Sequence, residues 1–392
     1  MDGCLARTQA LTSFVVPMRP LLKAVRPGSA PLVRRSLLDL PEVAFVSQGR
    51  AAISLALSLE GIGTGASVLI PAFHCDALRA AVRSVGADVD CFEIGEDLQI
   101  SLESVLRAGR RTTKAVVLPH LFVVRQPPEL FRALREQTNW IVIEDCAHSF
   151  FSPETGDQIG ANGHYAVGSL SKFFPIGWGG VLASSERRID LRLARAGPYR
   201  DLKLFANAIE AAASYGGLGP FSSSVQGLLA QISKIRGYRP TIIPADTRLE
   251  GANSRDFKED VDLALLNRDA GRLAPAMAYR LARDGLRLAR RQEVAAAIQD
   301  LISSLRPNEA PLRTTQPEFP PYVVPLILPD PKRQFARLRE SGVPLYRWEN
   351  SVRDVCRVAD WYSTALVQLP CHESISPQQL EAVTQRILRV LE

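Results

Sequence analysis

The chain has 392 residues, 46% hydrophobic and 22% charged, which is ordinary soluble composition and room for two domains, or one large and one small, without disulfide staples. Its net charge of +6 is carried by arginines scattered through helices. The run Arg287, Arg290 and Arg291 reads as a solvated helix face and not as a nucleic-acid stripe, because no aromatic-interleaved basic patch accompanies it. None of the six cysteines forms a CxxC pair, which argues against a metal site and fits a reducing cytosol. No charged region at the N-terminus leads into an apolar run, and no apolar stretch reaches about 18 residues, so neither a signal peptide nor a membrane span is expected and a cytoplasmic location is.

Residues 1–42 hold prolines and arginines without a sustained period and read as an N-terminal arm, placed to pair with a second subunit. Regular patterning starts at Val43. VAFVSQGR is a short strand meeting a helix at Gly49, and RAAISLALSLEG keeps apolar residues at helical spacing as far as Gly61. SVLIP (Ser67–Pro71), VDCFEI (Val89–Ile94), KAVVLPH (Lys114–His120) and WIVIEDC (Trp140–Cys146) read as strands with helices between them. They are apolar runs more than alternations, as expected of a parallel sheet covered on both faces, so the fold class is α/β. The segment around Lys172 and GGVLAS (Gly179–Ser184) read as two further strands with a turn between. From Glu186 the chain reads as helical and arginine-rich. Two loop-like stretches follow, Tyr215–Ser224 and Arg236–Ser254, and then helices from about Phe257 to Leu305. A smaller unit begins near Pro320 with strand YVVPLIL, a helix over Asp330–Glu340, VPLYRW and VQLPCH. Ser376, Pro377 and Gln379 form a capping box with proline at the first helical position. The expected domains are residues 1–42 (arm), 43–256 (large) and 257–392 (helical connection and small C-terminal domain).

The chemistry concentrates in two segments. GSLSKFFPIGWGG (Gly168–Gly180) sets Lys172 between two serines and a glycine pair, and it is one of only seven lysines against forty arginines. An amine is a nucleophile only when neutral, and burial lowers a lysine's pKa. Upstream, IVIEDCAHSFF reads as a buried strand that ends in Asp145 and is followed by His148. Ligands of open α/β sheets sit at such strand ends. A carboxylate there can keep a pyridine nitrogen protonated; at about 3 Å and an effective dielectric near 20 the attraction is roughly 5 kcal/mol gross. Lysine, aspartate and histidine in this arrangement point to pyridoxal 5′-phosphate, with Lys172 as its Schiff-base anchor and proton shuttle. Glu144 points to the other face by strand alternation. The phosphate needs amide donors, and Gly49, Arg50 and Ala51 open a helix directly after a strand. Ser169 or Ser171 adds a hydroxyl, with Ser169 preferred. Phe73, His74 and Cys75, after the strand at Ser67–Pro71, are candidates for stacking on the cofactor. His120 faces the substrate or serves as a cap, and Arg347 is a candidate for a substrate carboxylate or phosphate.

Together these residues resemble the DegT/DnrJ/EryC1/StrS family of PLP-dependent aminotransferases. The matching motifs run in family order: SQGRAAISLAL, VLIPAFHC, VVLPHLFVVRQP, VIEDCAHS, SLSK with GWGG after it, and LPCHESISPQQLEAV at the end. The similarity covers about Val43–Ser184 and resumes at about Tyr322, with a poor match between about Arg188 and Glu318. It implies a three-layer aspartate-aminotransferase fold with a mostly parallel large-domain sheet and a smaller α+β C-terminal domain. It implies Lys172 as the imine lysine, Asp145 as the pyridine-nitrogen partner, His148 as the ring contact, and Gly49, Arg50 and Ser169 as phosphate ligands. The family's aromatic stacker falls at Cys75, and Trp178 stands where the family is usually acidic. Asn253 is the nearest match to a phosphate-binding asparagine of a partner subunit. The implied reaction moves an amino group from glutamate or glutamine to a keto-sugar or related ketone, in a homodimer.

Two other readings compete. A lyase or desulfurase on the same fold needs a mobile cysteine, and Cys356 and Cys371 are the C-terminal candidates. A non-catalytic relative that binds a metabolite is kept open by the departures at Arg50 and Trp178.

Overall fold

The computed structural model describes residues 16–22, 34–153, 156–236, 263–305, 319–348 and 355–391. Asn253, the stretch from 237 to 254 and the expected domain boundary at 256 lie outside them. Seven strands form the large sheet: β1 (Glu42–Val46), β2 (Ser67–Pro71), β3 (Asp88–Phe92), β4 (Thr113–Pro119), β5 (Ile141–Asp145), β6 (Tyr165–Ser169) and β7 (Gly180–Ser184). Their order is β1-β7-β6-β5-β4-β2-β3. The pairs β2–β3, β2–β4, β4–β5 and β5–β6 are parallel. Only β7 runs against its neighbours, β6 and β1.

Both faces of the sheet are covered. The first helices are α1 (Gly49–Leu59), α2 (Asp76–Ser84), α3 (Leu102–Ala108) and α4 (Pro128–Gln137). Within β2, Val68 and Ile70 join Ala52, Leu57 and Leu78 in one core, while Leu69 joins Phe131 and Leu134 in another. That division is the two-residue period of a strand buried on both sides. Because the strands are parallel, the C-terminal ends of β2, β4, β5 and β6 open on one edge, and the residues just beyond them meet there.

Lys172 does not lie in a strand or open turn. Leu170–Phe173 form a one-turn helix, α5, between β6 and β7. After β7 the chain has no helix as far as Gly197, so the helix expected from Glu186 begins instead as α6 (Pro198–Ser214), followed by α7 (Ser222–Arg236). Part of the expected loop at Tyr215–Ser224 is a 3-10 turn, Gly219–Phe221. The helical stretch up to Leu305 divides into α8 (Leu263–Leu266), α9 (Leu273–Ala282) and α10 (Gly285–Leu305). None of the described helices is long and apolar enough to cross a membrane.

The small sheet has order β8-β10-β9, all antiparallel, from β8 (Val323–Ile327), β9 (Tyr346–Arg347) and β10 (Leu366–Pro370). Its helices are α11 (Pro331–Glu340), α12 (Arg357–Ala365) and α13 (Pro377–Leu391). α13 starts at the expected capping box: Ser376 N–H donates to Gln379 Oε1 (2.9 Å), and Gln379 N–H donates to Ser376 Oγ (3.2 Å). Val16 of the N-terminal arm packs into the small-sheet core beside Ile298, Leu369 and Ile387.

The two sheets share one aromatic junction, where Phe73 meets Phe122, Trp348 and Tyr362 at ring distances of 5.1–6.3 Å among themselves. Truncating one such buried ring costs about 3–5 kcal/mol. Arg287 and Arg291 overturn the reading of a solvated helix face: they are 6% and 1% exposed. Their i, i+4 spacing aims both at Glu373, in the loop after β10.

Candidate active site

The site forms where β2, β5 and β6 end. Asp145 is 3% exposed at the tip of β5. Its Oδ1 accepts the Ala147 N–H (2.9 Å), which turns the chain sharply and brings His148 back over the sheet edge. Its Oδ2 stands 3.5 Å from His74 Nε2. Burial opposes the Asp145 charge, but the hydrogen bond and charge of His74, with Lys172 behind, hold its carboxyl below the usual range.

His148 accepts the Phe122 N–H on Nδ1 (3.2 Å). Burial, reinforced by the charges of Lys172 and His74, pushes its pKa well down, so the ring is neutral with its proton on Nε2. Phe122, Tyr322 and Trp348 enclose that ring at centroid distances of 5.1, 5.2 and 5.4 Å.

Lys172 Nζ lies 5.2 Å from the Tyr322 ring centroid. Burial lowers its pKa, and the charges of Cys75 and Asp145 only partly restore it. A larger share of the amine is therefore neutral and nucleophilic near pH 7 than in a surface lysine.

Of the three stacking candidates, Phe73 is ruled out. It is 0% exposed and sits in the aromatic junction, packed by Phe122, Trp348 and Tyr362. His74 and Cys75 do reach the site. Cys75 Sγ is 3.5 Å from His74 Nδ1, and the His74 ring lies 5.2 Å from Trp348. Burial raises the Cys75 thiol, but His74 beside it outweighs that and brings it to about 7. For His74, burial lowers the pKa, while Cys75 and Asp145 lift it to about 10. His74 is thus placed between the Asp145 carboxylate and the Cys75 thiol, and each of these neighbours favours its protonated form.

The start of α1, which packs beside Gly168 and Ser169, is the candidate anion cradle. Gln48 offers α1 no side-chain cap, and the first-turn N–H groups of Gly49, Arg50 and Ala51 are the kind of donors that a helix start presents to an anion. A Cβ on Gly49 would lie 3.3 Å from Gly168 O and 3.4 Å from Ser169 Cβ. One on Gly180 would lie 2.3 Å from Gln48 C and O. Glycine at 180 is what lets β7 approach the helix start this closely. Ser169 and Ser171 hydroxyls stand 3.5 Å apart beside the cradle. Trp178 packs beneath this turn, with the Arg200 guanidinium 4.9 Å from its ring. The donor set fits a phosphate at the cradle, a protonated ring nitrogen at Asp145 and an aldehyde at Lys172.

Two expected contacts go elsewhere. His120 Nε2 pairs with Glu144 (2.9 Å), and its Nδ1 accepts Gln126 N–H (3.0 Å). Glu144, on the other face of β5, also accepts N–H groups from Gly160, Asn162 and Gly163, so this pair fastens a loop and faces no substrate. Arg347 stacks on Phe335 at 4.0 Å and donates to Thr364 O (3.0 Å). Alternation sends it away from its neighbour Trp348, which faces the site. Sequence reasoning missed Tyr322, Trp348 and Arg291, because no local motif marks them.

Residues 36–194 match the DegT/DnrJ/EryC1/StrS aminotransferase family. GDP-perosamine synthase of Vibrio cholerae is 33% identical over 41% of this chain and 45% of its own length. L-glutamine:2-deoxy-scyllo-inosose aminotransferase of Streptomyces lividus is 30% identical over 36% of this chain and 34% of its own length. The chain thus spans less than half the length of these curated relatives. Among solved structures, the aminotransferase from Psychrobacter cryohalolentis superposes with TM-score 0.63 at 17% identity, covering 90% of this chain and 88% of that one. The sugar aminotransferase CalS13 from Micromonospora echinospora gives TM-score 0.61 at 18% identity, covering 95% and 99%. These two likenesses show a shared fold: the α/β architecture of the aminotransferases. Gly49, Cys75, Asp145, His148, Ser169 and Lys172 all fall within the stretch, residues 36–194, that is similar to the DegT/DnrJ/EryC1/StrS aminotransferase family.

Proposed function

We propose that the protein is a pyridoxal 5′-phosphate-dependent aminotransferase that moves an amino group from glutamate or glutamine to a keto-sugar or related ketone, acting as a homodimer. The observation that carries this is the convergence of a buried amine of lowered pKa, a strand-end carboxylate and an uncapped helix start on one edge of a parallel sheet. The names of the curated relatives support a sugar or cyclitol ketone as acceptor. When bound, the cofactor supplies an aldehyde that exchanges between amines and a ring that accepts electrons.

The chain's own residues do the rest. Gly49, Arg50 and Ala51 N–H groups with Ser169 Oγ hold the phosphate. Asp145 keeps a proton on the ring nitrogen. His148, neutral and walled in by Phe122, Tyr322 and Trp348, lies against the ring and excludes water. Lys172 Nζ would hold the aldehyde and, as a neutral amine, would serve as the general base that takes the proton from the donor's Cα. Cys356 and Cys371 are 6% and 0% exposed, too buried to serve as the mobile nucleophile of a desulfurase.

The test is spectroscopic. Protein loaded with cofactor is mixed with L-glutamate or L-glutamine, then with nucleotide-linked keto-sugars and keto-cyclitols. The visible band should bleach with the amino acid and return with the acceptor. A band unmoved by any amino acid would sink the proposal.

A further inference from the structure

The buried end of α10 points at the backbone that carries the amine. Arg291 Nη2 donates to Phe173 O (3.1 Å) and to Glu373 Oε2 (2.8 Å). Its Nη1 donates to Pro321 O (3.3 Å) and, more weakly, to Lys172 O (3.5 Å). α5 is a single turn, so its last carbonyls have no helical partner of their own. Pro321 directly precedes Tyr322, whose ring meets both Lys172 Nζ and His148. One guanidinium therefore ties together the main chain at Lys172 and the strand start that carries the Tyr322 ring.

Glu373 fixes the guanidinium in turn. Its other oxygen takes Arg287, one turn earlier on α10. Arg290 reaches Ile375 O (3.3 Å) in the same loop. Three buried charges are an expensive way to gain stability, since apolar residues of similar volume often do as well. Apolar residues could not, however, satisfy three carbonyls around the amine.

We propose that Arg291, held by Glu373, is a positioning residue: it fixes the backbone at and just after Lys172, ties it to Pro321 before Tyr322, and links both to the loop after β10, so Lys172 Nζ returns to one place as its side chain changes bonding partners. This rests on the aminotransferase reading of Lys172. Arginine and lysine are not equivalent here, because Arg291→Lys keeps the charge but loses the fork that spans several carbonyls. Displacing a reacting group by about 1 Å costs on the order of 100-fold in rate.

The experiment compares wild type, Arg291→Lys and Glu373→Gln, with thermal unfolding to establish that each variant is folded; Glu373→Gln, which keeps shape and acceptor, serves if Arg291→Lys does not fold. In the cofactor-loaded enzyme, Arg291→Lys should lower kcat about 100-fold while the donor KM stays within about threefold. The circular dichroism of the cofactor band should weaken. In cofactor-free protein, reductive methylation with formaldehyde, read by peptide mass, should change at Lys172 by about threefold or more relative to the other six lysines. Folded variants with kcat and Lys172 labelling within about twofold of wild type would overturn the proposal. So would a loss of turnover matched by lost folded protein with Lys172 labelling unchanged. If wild type never bonds the cofactor at Lys172, the aminotransferase reading fails, and the labelling still decides whether Arg291 places the amine.

Discussion

Gly180→Ala tests the anion cradle most sharply. A Cβ at this position would stand 2.3 Å from Gln48 C and O and 2.6 Å from Gly49 N. Ordinary carbon contacts need about 3.5 Å, so the start of α1 must retreat by roughly 1 Å. Overpacking of this kind costs typically about 1–3 kcal/mol. The larger effect falls on the ligand. Each charge-assisted bond from an N–H to a phosphate is worth about 1.5–3 kcal/mol and weakens steeply with displacement. Loss of one such bond predicts cofactor affinity lowered about 10- to 100-fold. The assay is titration of apoprotein with pyridoxal phosphate, followed by absorbance, alongside thermal unfolding. Gly177→Ala is the control, since nothing lies within 4 Å of a Cβ there, and it should bind as wild type. Affinity within about threefold of wild type in folded Gly180→Ala would refute the cradle.

Three further outcomes follow from the charges. Cys75, lowered to about 7 by His74, should alkylate with iodoacetamide at neutral pH well ahead of Cys146 and Cys371, which burial holds far up, and cofactor should protect it; equal rates, or no protection, would contradict its placement beside the cofactor. Burial raises the Glu373 pKa, but Arg291 and Arg287 carry it down to about 2 against an ordinary 4.5, so its contribution of about 3 kcal/mol is full above about pH 4.5 and lost as pH falls through about 2. Urea titrations of Glu373→Gln should show a constant deficit from neutrality to about pH 4.5 that narrows below it, and a deficit unaffected by acid would be inconsistent with the ion cluster. His372, pushed by burial to about 4, binds protons more readily unfolded, so wild-type stability should already decline below about pH 6.5; a flat profile between 6.5 and 4 would refute its burial in neutral form.

Most of the large sheet was legible because β2, β4 and β5 are continuous apolar runs, and such runs are dictated by burial on both faces. Lys172, Asp145 and Gly49 were legible because strand ends and helix starts leave local marks. The helical state of Lys172 was not, because a single turn presents no 3.6-residue period. Tyr322 and Trp348 are brought to the site by the small sheet, far along the chain from Lys172, and no local spacing reports that. Arg287 and Arg291 misled for the same reason. On α10 they look like a wet face, and the carboxylate that justifies burying them sits in a loop after β10. Phe73 was one of three adjacent candidates, and only the packing of two sheets against each other shows which of them turns inward.

Borohydride reduction of the cofactor-loaded chain, followed by proteolysis and mass measurement, tests the central claim most directly. The peptide carrying Lys172 should gain the mass of the reduced cofactor, and the peptides of the other lysines should not. An unmodified Lys172 peptide, or the added mass on a different lysine, would contradict the assignment of the amine and the active site built around it.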